Sequence, residues 1–161
     1  MGKLTKDGRG AALSQSEAGV AAPRVILQNE YVTLVYYART RIVYHTFHQP
    51  VPSEVFREVL TRGVEIFETR GACKWLSDDS GNSALHPDDA TWSMGVWTRR
   101  AKMAGWKFWA VIMPDLALGR ANMRRFLKHH IEGGLRVRVF THPEEALRWL
   151  EVAETTNPDD D

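Results

Sequence analysis

Apolar residues near the start of the folded region recur at every second position. Residues 25–40 (VILQNEYVTLVYYART) are dense in β-branched and aromatic side chains, and beyond Arg41 two sets alternate, Ile42, Tyr44, Thr46 and His48 against Val43, His45 and Phe47. A period of two belongs to half-buried strands. The polar stretch Ala38 to Arg41 therefore predicts a β-hairpin, preceded by a short edge strand around Val25 to Gln28. Pro50 and Pro52 stop the second strand. From Ser53 the period lengthens, with Phe56, Val59, Leu60, Gly63 and Phe67 three or four apart, which predicts a one-sided helix to Thr69 closed by Gly71. Ala72 to Leu76 reads as a strand short and apolar enough to be central in a parallel sheet.

The same alternation of periods continues to the end. A helix starts at Pro87, with Asp88 and Asp89 in its first turn and Arg99, Arg100 and Lys102 near its far end, an order that complements the helix dipole. Gly105 closes it, Lys107 to Met113 forms a buried strand, and Leu118 to Glu132 forms a helix ended by Gly133 and Gly134. Leu135, Val137 and Val139 then alternate with Arg136 and Arg138, as on an edge strand with one wet face. Thr141 and Glu144 have capping-box spacing ahead of a last helix bearing Ala146, Leu147, Trp149 and Leu150. The order β-β-α-β-α-β-α-β-α defines an α/β fold. It predicts a mixed, mostly parallel sheet of four or five strands, with an N-terminal antiparallel hairpin, four helices and helices on both faces.

Length and composition confine this to one domain over residues 23–152. Residues 1–22, rich in Gly, Ala, Ser and Lys without periodicity, read as a disordered or loosely docked extension, and residues 153–161 as a mobile acidic tail. Net charge is +1, but residues 51–95 hold four basic and eight acidic residues against eleven and four in residues 96–150. That asymmetry gives a basic face. A sequence pI of about 7.9 and the lack of a nucleic-acid motif argue against a nucleic-acid partner. The single cysteine, Cys73, falls in an apolar strand and has no internal disulfide partner, which points to a reducing, cytoplasmic setting. No apolar run reaches the roughly 20 residues of a membrane span.

Five of the six tryptophans fall between Cys73 and Pro114, around the polar loop Ser77, Asp78, Asp79, Ser80, Gly81 and Asn82. A loop at the carboxyl end of a parallel strand is where ligands meet open α/β sheets. Asp78 is better placed to cap loop N–H groups than to ligate a metal, because neighbouring residues of an extended segment point to opposite sides. His45 and His48 lie on opposite strand faces, and His129 and His130 diverge on a helix, so no zinc set forms. No nucleophile elbow, P-loop or dinucleotide fingerprint occurs. The expectation is a non-enzymatic protein without cofactor or metal. A hydrolase would need Asp78 to meet a histidine. Trp109 and Trp149 read as core. Trp92 and Trp97, beside Arg99 and Arg100, read as a groove for a protein partner or for a small apolar or anionic ligand.

The element order, the Asp78-Asp79-Ser80-Gly81 loop and the motifs Trp75 to Asp79, Gly105 to Ala110 and Pro143 to Leu150 resemble the STAS family, with its SpoIIAA-like fold. They resemble most narrowly its stand-alone bacterial STAS or SEC14-type members. The resemblance covers residues 25–150. It implies a regulatory recognition module binding a partner or ligand at residues 77–82, with Ser80 matching the family's phosphoacceptor position. This chain departs from the pattern in carrying Asp79 before that serine and in inserting Asn82 to His86 before the helix. The alternative implied is a SEC14-type carrier of lipid or amphiphile, with a cavity walled by Trp92, Met94, Trp97 and Trp109. A homodimer follows if the hairpin edge or the aromatic helix stays exposed.

Overall fold

A computed structural model describes residues 22–153. The extension expected over residues 1–22 and the tail over 153–161 lie, but for one residue each, outside the described residues. The strands are β1 (Arg24–Gln28), β2 (Val32–Tyr37), β3 (Ile42–Phe47), β4 (Lys74–Asp78), β5 (Phe108–Ile112) and β6 (Arg136–Phe140). The helices are α1 (Ser53–Arg70), α2 (Pro87–Trp92), α3 (Thr98–Met103), α4 (Ala117–Glu132) and α5 (Pro143–Val152). A π-helical turn, Ser93–Trp97, joins α2 to α3 without a break.

The sheet has six strands in chain order, antiparallel from β1 to β3 and parallel from β3 to β6. This exceeds the four or five strands expected, because the edge segment pairs with β2 as a full member. Its sequence pattern is weak because the strand is largely exposed, Val25 by 55%. Each parallel strand is added on the same side of the one before it, so right-handed crossovers carry α1, α2–α3 and α4 over one face. Helix α5 has no strand to return to and covers the other face.

Two apolar clusters follow from that arrangement. Val43, Trp75 and Trp109 stand opposite one another across β3, β4 and β5 and face the three crossover helices, meeting Phe56, Val59 and Phe67 of α1, Ala101 of α3 and Phe126 of α4. Leu76, Ala110 and Ile112 face Ala146 and Leu150 of α5. Strands β4 and β5 are buried along their whole length, the signature of a sheet covered on both faces.

Local signals explain most of the boundaries. Gly71 takes the left-handed conformation (φ 64°) that ends α1, its N–H bonded to Phe67 O. The capping box at Thr141 does not form. Pro143 occupies the first turn of α5, which makes His142 the capping position and leaves Thr141 one residue too early. Among the described residues, no helix is long and apolar enough to cross a membrane.

Candidate functional site

The loop after β4 folds back over the end of β3. Asp79 N–H donates to Ile112 O (3.1 Å), Asn82 N–H to Asp79 O (2.9 Å), and Val51 N–H to the Asn82 side-chain oxygen (3.3 Å). Gly81 lies against the end of β3, where a Cβ would come within 2.4 Å of Phe47 O, so this close approach admits only glycine. Asp78 caps the loop as its position predicts: its Oδ1 accepts from Ser80 N–H (3.1 Å) and from the Ser80 hydroxyl (2.6 Å). Ser77, Asp78, Asp79 and Asn82 are all buried, while Ser80 and Gly81 are half-buried. The loop is a structural lining rather than a projecting surface.

Alternation along β4 sends Trp75, Ser77 and Asp79 to the face of the crossover helices. Two tryptophans of one cross-strand row then donate in the same sense, each to a residue two positions further along the preceding strand. Trp109 Nε1–H reaches Ser77 Oγ (2.8 Å), and Trp75 Nε1–H reaches His45 Nδ1 (2.9 Å). The other nitrogen of that imidazole, Nε2, lies 3.0 Å from Asp79 Oδ1. An indole N–H can only donate, so Nδ1 must accept, and the single ring proton sits on Nε2 and is given to Asp79. His45 is thus held as a neutral ring with both nitrogens engaged.

Around this relay the rings pack edge to face. Trp75 meets Trp97 (centroids 5.4 Å), Trp97 meets Trp106 (5.1 Å) and Trp106 meets Trp109 (5.7 Å). His130 of α4 stacks on the last two, at 5.2 and 5.1 Å. These rings, with Phe56, Phe126 and Met123, wall a cavity of about 70 Å³ at the carboxyl ends of β3, β4 and β5, with Asp79 in its wall. The half-buried Ser83, Leu85 and Asn122 leave it partly open. His130 is 3% exposed, and its Nδ1 is buried with no hydrogen-bond partner. Burial above all, and then the charges of His129 and Lys102, push its pKa down to about 4, so the ring is neutral at pH 7.

The residues expected at the site divide into two groups. Ser77, Asp79, Asn82 and Trp97 line the cavity, whereas Asp78, Ser80, Trp92, Arg99 and Arg100 do not. The expected groove of Trp92 and Trp97 beside Arg99 and Arg100 is not formed. Trp97 is 5% exposed and donates Nε1–H to Leu60 O (2.7 Å). Arg99 and Arg100 instead line a separate shallow depression with Glu68, Val96 and Met103. Arg100 is bound there by both Glu68 oxygens (2.7 and 2.9 Å), which holds that carboxyl below its usual range. An anion-binding arginine pair beside the tryptophans is therefore absent. Trp92 is half-buried against Phe56 and under the Arg57 guanidinium, 5.0 Å from its ring.

Sequence reasoning missed His45, Trp106 and His130 as parts of one site. The acid that meets a histidine is Asp79, not Asp78. The available signal was His45 between Val43 and Phe47, a polar residue on an otherwise apolar strand face. Among the described residues, no group of three or more His, Cys, Asp or Glu is placed to hold a metal ion. No protein-family model matches the chain, and no curated protein or solved structure matches it significantly. The fold and site define an α/β protein with an aromatic-walled cavity at the carboxyl ends of its parallel strands.

Proposed function

We propose that this protein is a non-enzymatic, STAS-like recognition module that takes a small ligand into the cavity between Asp79 and the clustered tryptophans. The observation that carries the reading is the cavity itself, an aromatic-walled void with the buried carboxyl group of Asp79 in its wall. Position supports the same reading, because ligands of open α/β sheets bind beyond the carboxyl ends of the strands. Burial of Ser77, Asp78, Asp79 and Asn82 favours a small ligand over a docked protein partner at the loop. The engagement of both His45 nitrogens speaks against that ring as a general base. The sequential sheet is compatible with the SpoIIAA-like resemblance.

The amphiphile-carrier reading needs more room. A void of about 70 Å³ is under half of the roughly 150 Å³ that accepts one benzene in an engineered protein core. A lipid chain would require α4 to move off the sheet. Phosphorylation of Ser80 would place a dianion beside the carboxylate that now accepts its hydroxyl, a repulsive arrangement. The test is native mass spectrometry of the freshly purified protein, combined with titration of small-molecule fragments followed by amide NMR. A bound small molecule, or fragment shifts confined to the cavity wall, is the expected result. Bare protein mass together with no fragment shift at Asp79, Trp97 or His130 would refute the reading.

A further inference from the structure

The charge of the cavity wall is one-sided. Among the described residues, Asp79 is its only carboxylate, and no Lys or Arg lines it. Nor do the described residues pair a Lys or Arg with Asp79. Its ion-pair partner among the described residues is His45 alone, and the Trp75 indole keeps that ring neutral. Oδ1 is used by His45, and Oδ2 receives no hydrogen bond from the described residues yet is not sealed from solvent. A carboxylate 6% exposed is costly to bury without a counter-charge.

Resting on the reading of this cavity as a ligand site, we propose that it binds the primary ammonium head of a small organic amine. An N–H group of that head bonds Asp79 Oδ2. Each feature of the wall asks for part of this group. The carboxylate asks for positive charge, and an indole face accepts a cation better than an anion. The neutral His130 does not repel it. The unused Asp79 Oδ2 asks for an N–H donor, which a quaternary ammonium lacks. The space matches the liquid volume of roughly two waters, enough for a head of a few non-hydrogen atoms, the rest of the molecule leaving past Ser83 and Asn122.

The test uses the full chain with ethylammonium, ethanol, acetate and tetramethylammonium at constant ionic strength, each titrated to high millimolar and followed by amide NMR. Ethylammonium is expected to shift the resonances of Asp79, Trp106 and His130 with a dissociation constant at least about tenfold below that of ethanol, the scale of one charge-assisted hydrogen bond. Asp79→Asn is expected to abolish this preference while ethanol binding persists. Ethanol, acetate or tetramethylammonium binding as tightly as ethylammonium would overturn the ammonium assignment and leave the cavity reading intact. Silence of all four probes would overturn both, and the wild-type panel decides the question even if Asp79→Asn does not fold.

Discussion

At the scale of single residues the site depends on a missing methyl group. Gly63 sits inside α1, where a Cβ would lie 1.9 Å from the Trp75 ring. Replacing it with alanine gains about 1 kcal/mol of helix propensity, but overpacking against a buried ring costs typically 1–3 kcal/mol. Gly63→Ala should therefore lower stability in urea titration and disturb the Trp75 to His45 hydrogen bond. A net gain in stability would show that the ring is free to move. His130 gives a second prediction. Its pKa is about 4 in the folded chain against 6.5 unfolded, so between these values the unfolded state binds more protons. Stability should fall on acidification from pH 6.5 to 4, by on the order of 3 kcal/mol, and flatten below that. A His130→Gln variant should lack that portion of the slope, read from urea midpoints at each pH. Trp97 shows how residue-level reading errs: an indole beside two arginines looks exposed in a linear sequence, but burial is decided by the helix face.

Among the elements, α1 and α2 are pinned by one carboxylate. Asp89 accepts from the Ser53 hydroxyl (2.5 Å) and from Arg57 Nε (2.7 Å), joining the first turn of α2 to the start of α1. Burial alone would raise its pKa, but those two donors outweigh it and hold the carboxyl below 3.8. A group with a lowered folded pKa contributes stability above its unfolded value, and this is lost as pH falls through the folded one. Asp89→Asn should lower the melting temperature at pH 7 and narrow its gap to the wild type below about pH 3.8, the difference being read by circular dichroism. An unchanged gap at low pH would rule the ion pair out as its source. Elements were the most legible level in the sequence. The strands, the crossover helices and the Gly71 cap all follow from period and punctuation. The π-helical turn at Ser93–Trp97 does not, because one extra residue per turn leaves the apolar spacing nearly unchanged. It is visible only in backbone bonds such as Thr98 N–H to Ser93 O.

For the whole molecule, the sequential sheet puts three helices on one face and α5 alone on the other, and it gathers indoles from β4, the π turn, the segment before β5 and β5 itself into one cluster. Loss of that cluster requires the sheet and the helices to separate together. Urea unfolding followed by indole emission should therefore coincide with the transition seen in far-ultraviolet circular dichroism. An earlier fluorescence change would mean that the cavity wall melts on its own. The chain's own pattern determined the α/β class, the order of elements and the placing of Asp79 at the end of a central strand, because hydrophobic period and turn residues act over a few positions. Only the tertiary structure decided that His45, Trp75 and Asp79 form a relay, that His130 closes the wall opposite, and that Arg99 and Arg100 stand outside. The relay's hydrogen bonds join residues 30 or more positions apart, and all these relations are set by strand register and helix rotation, which no local pattern encodes.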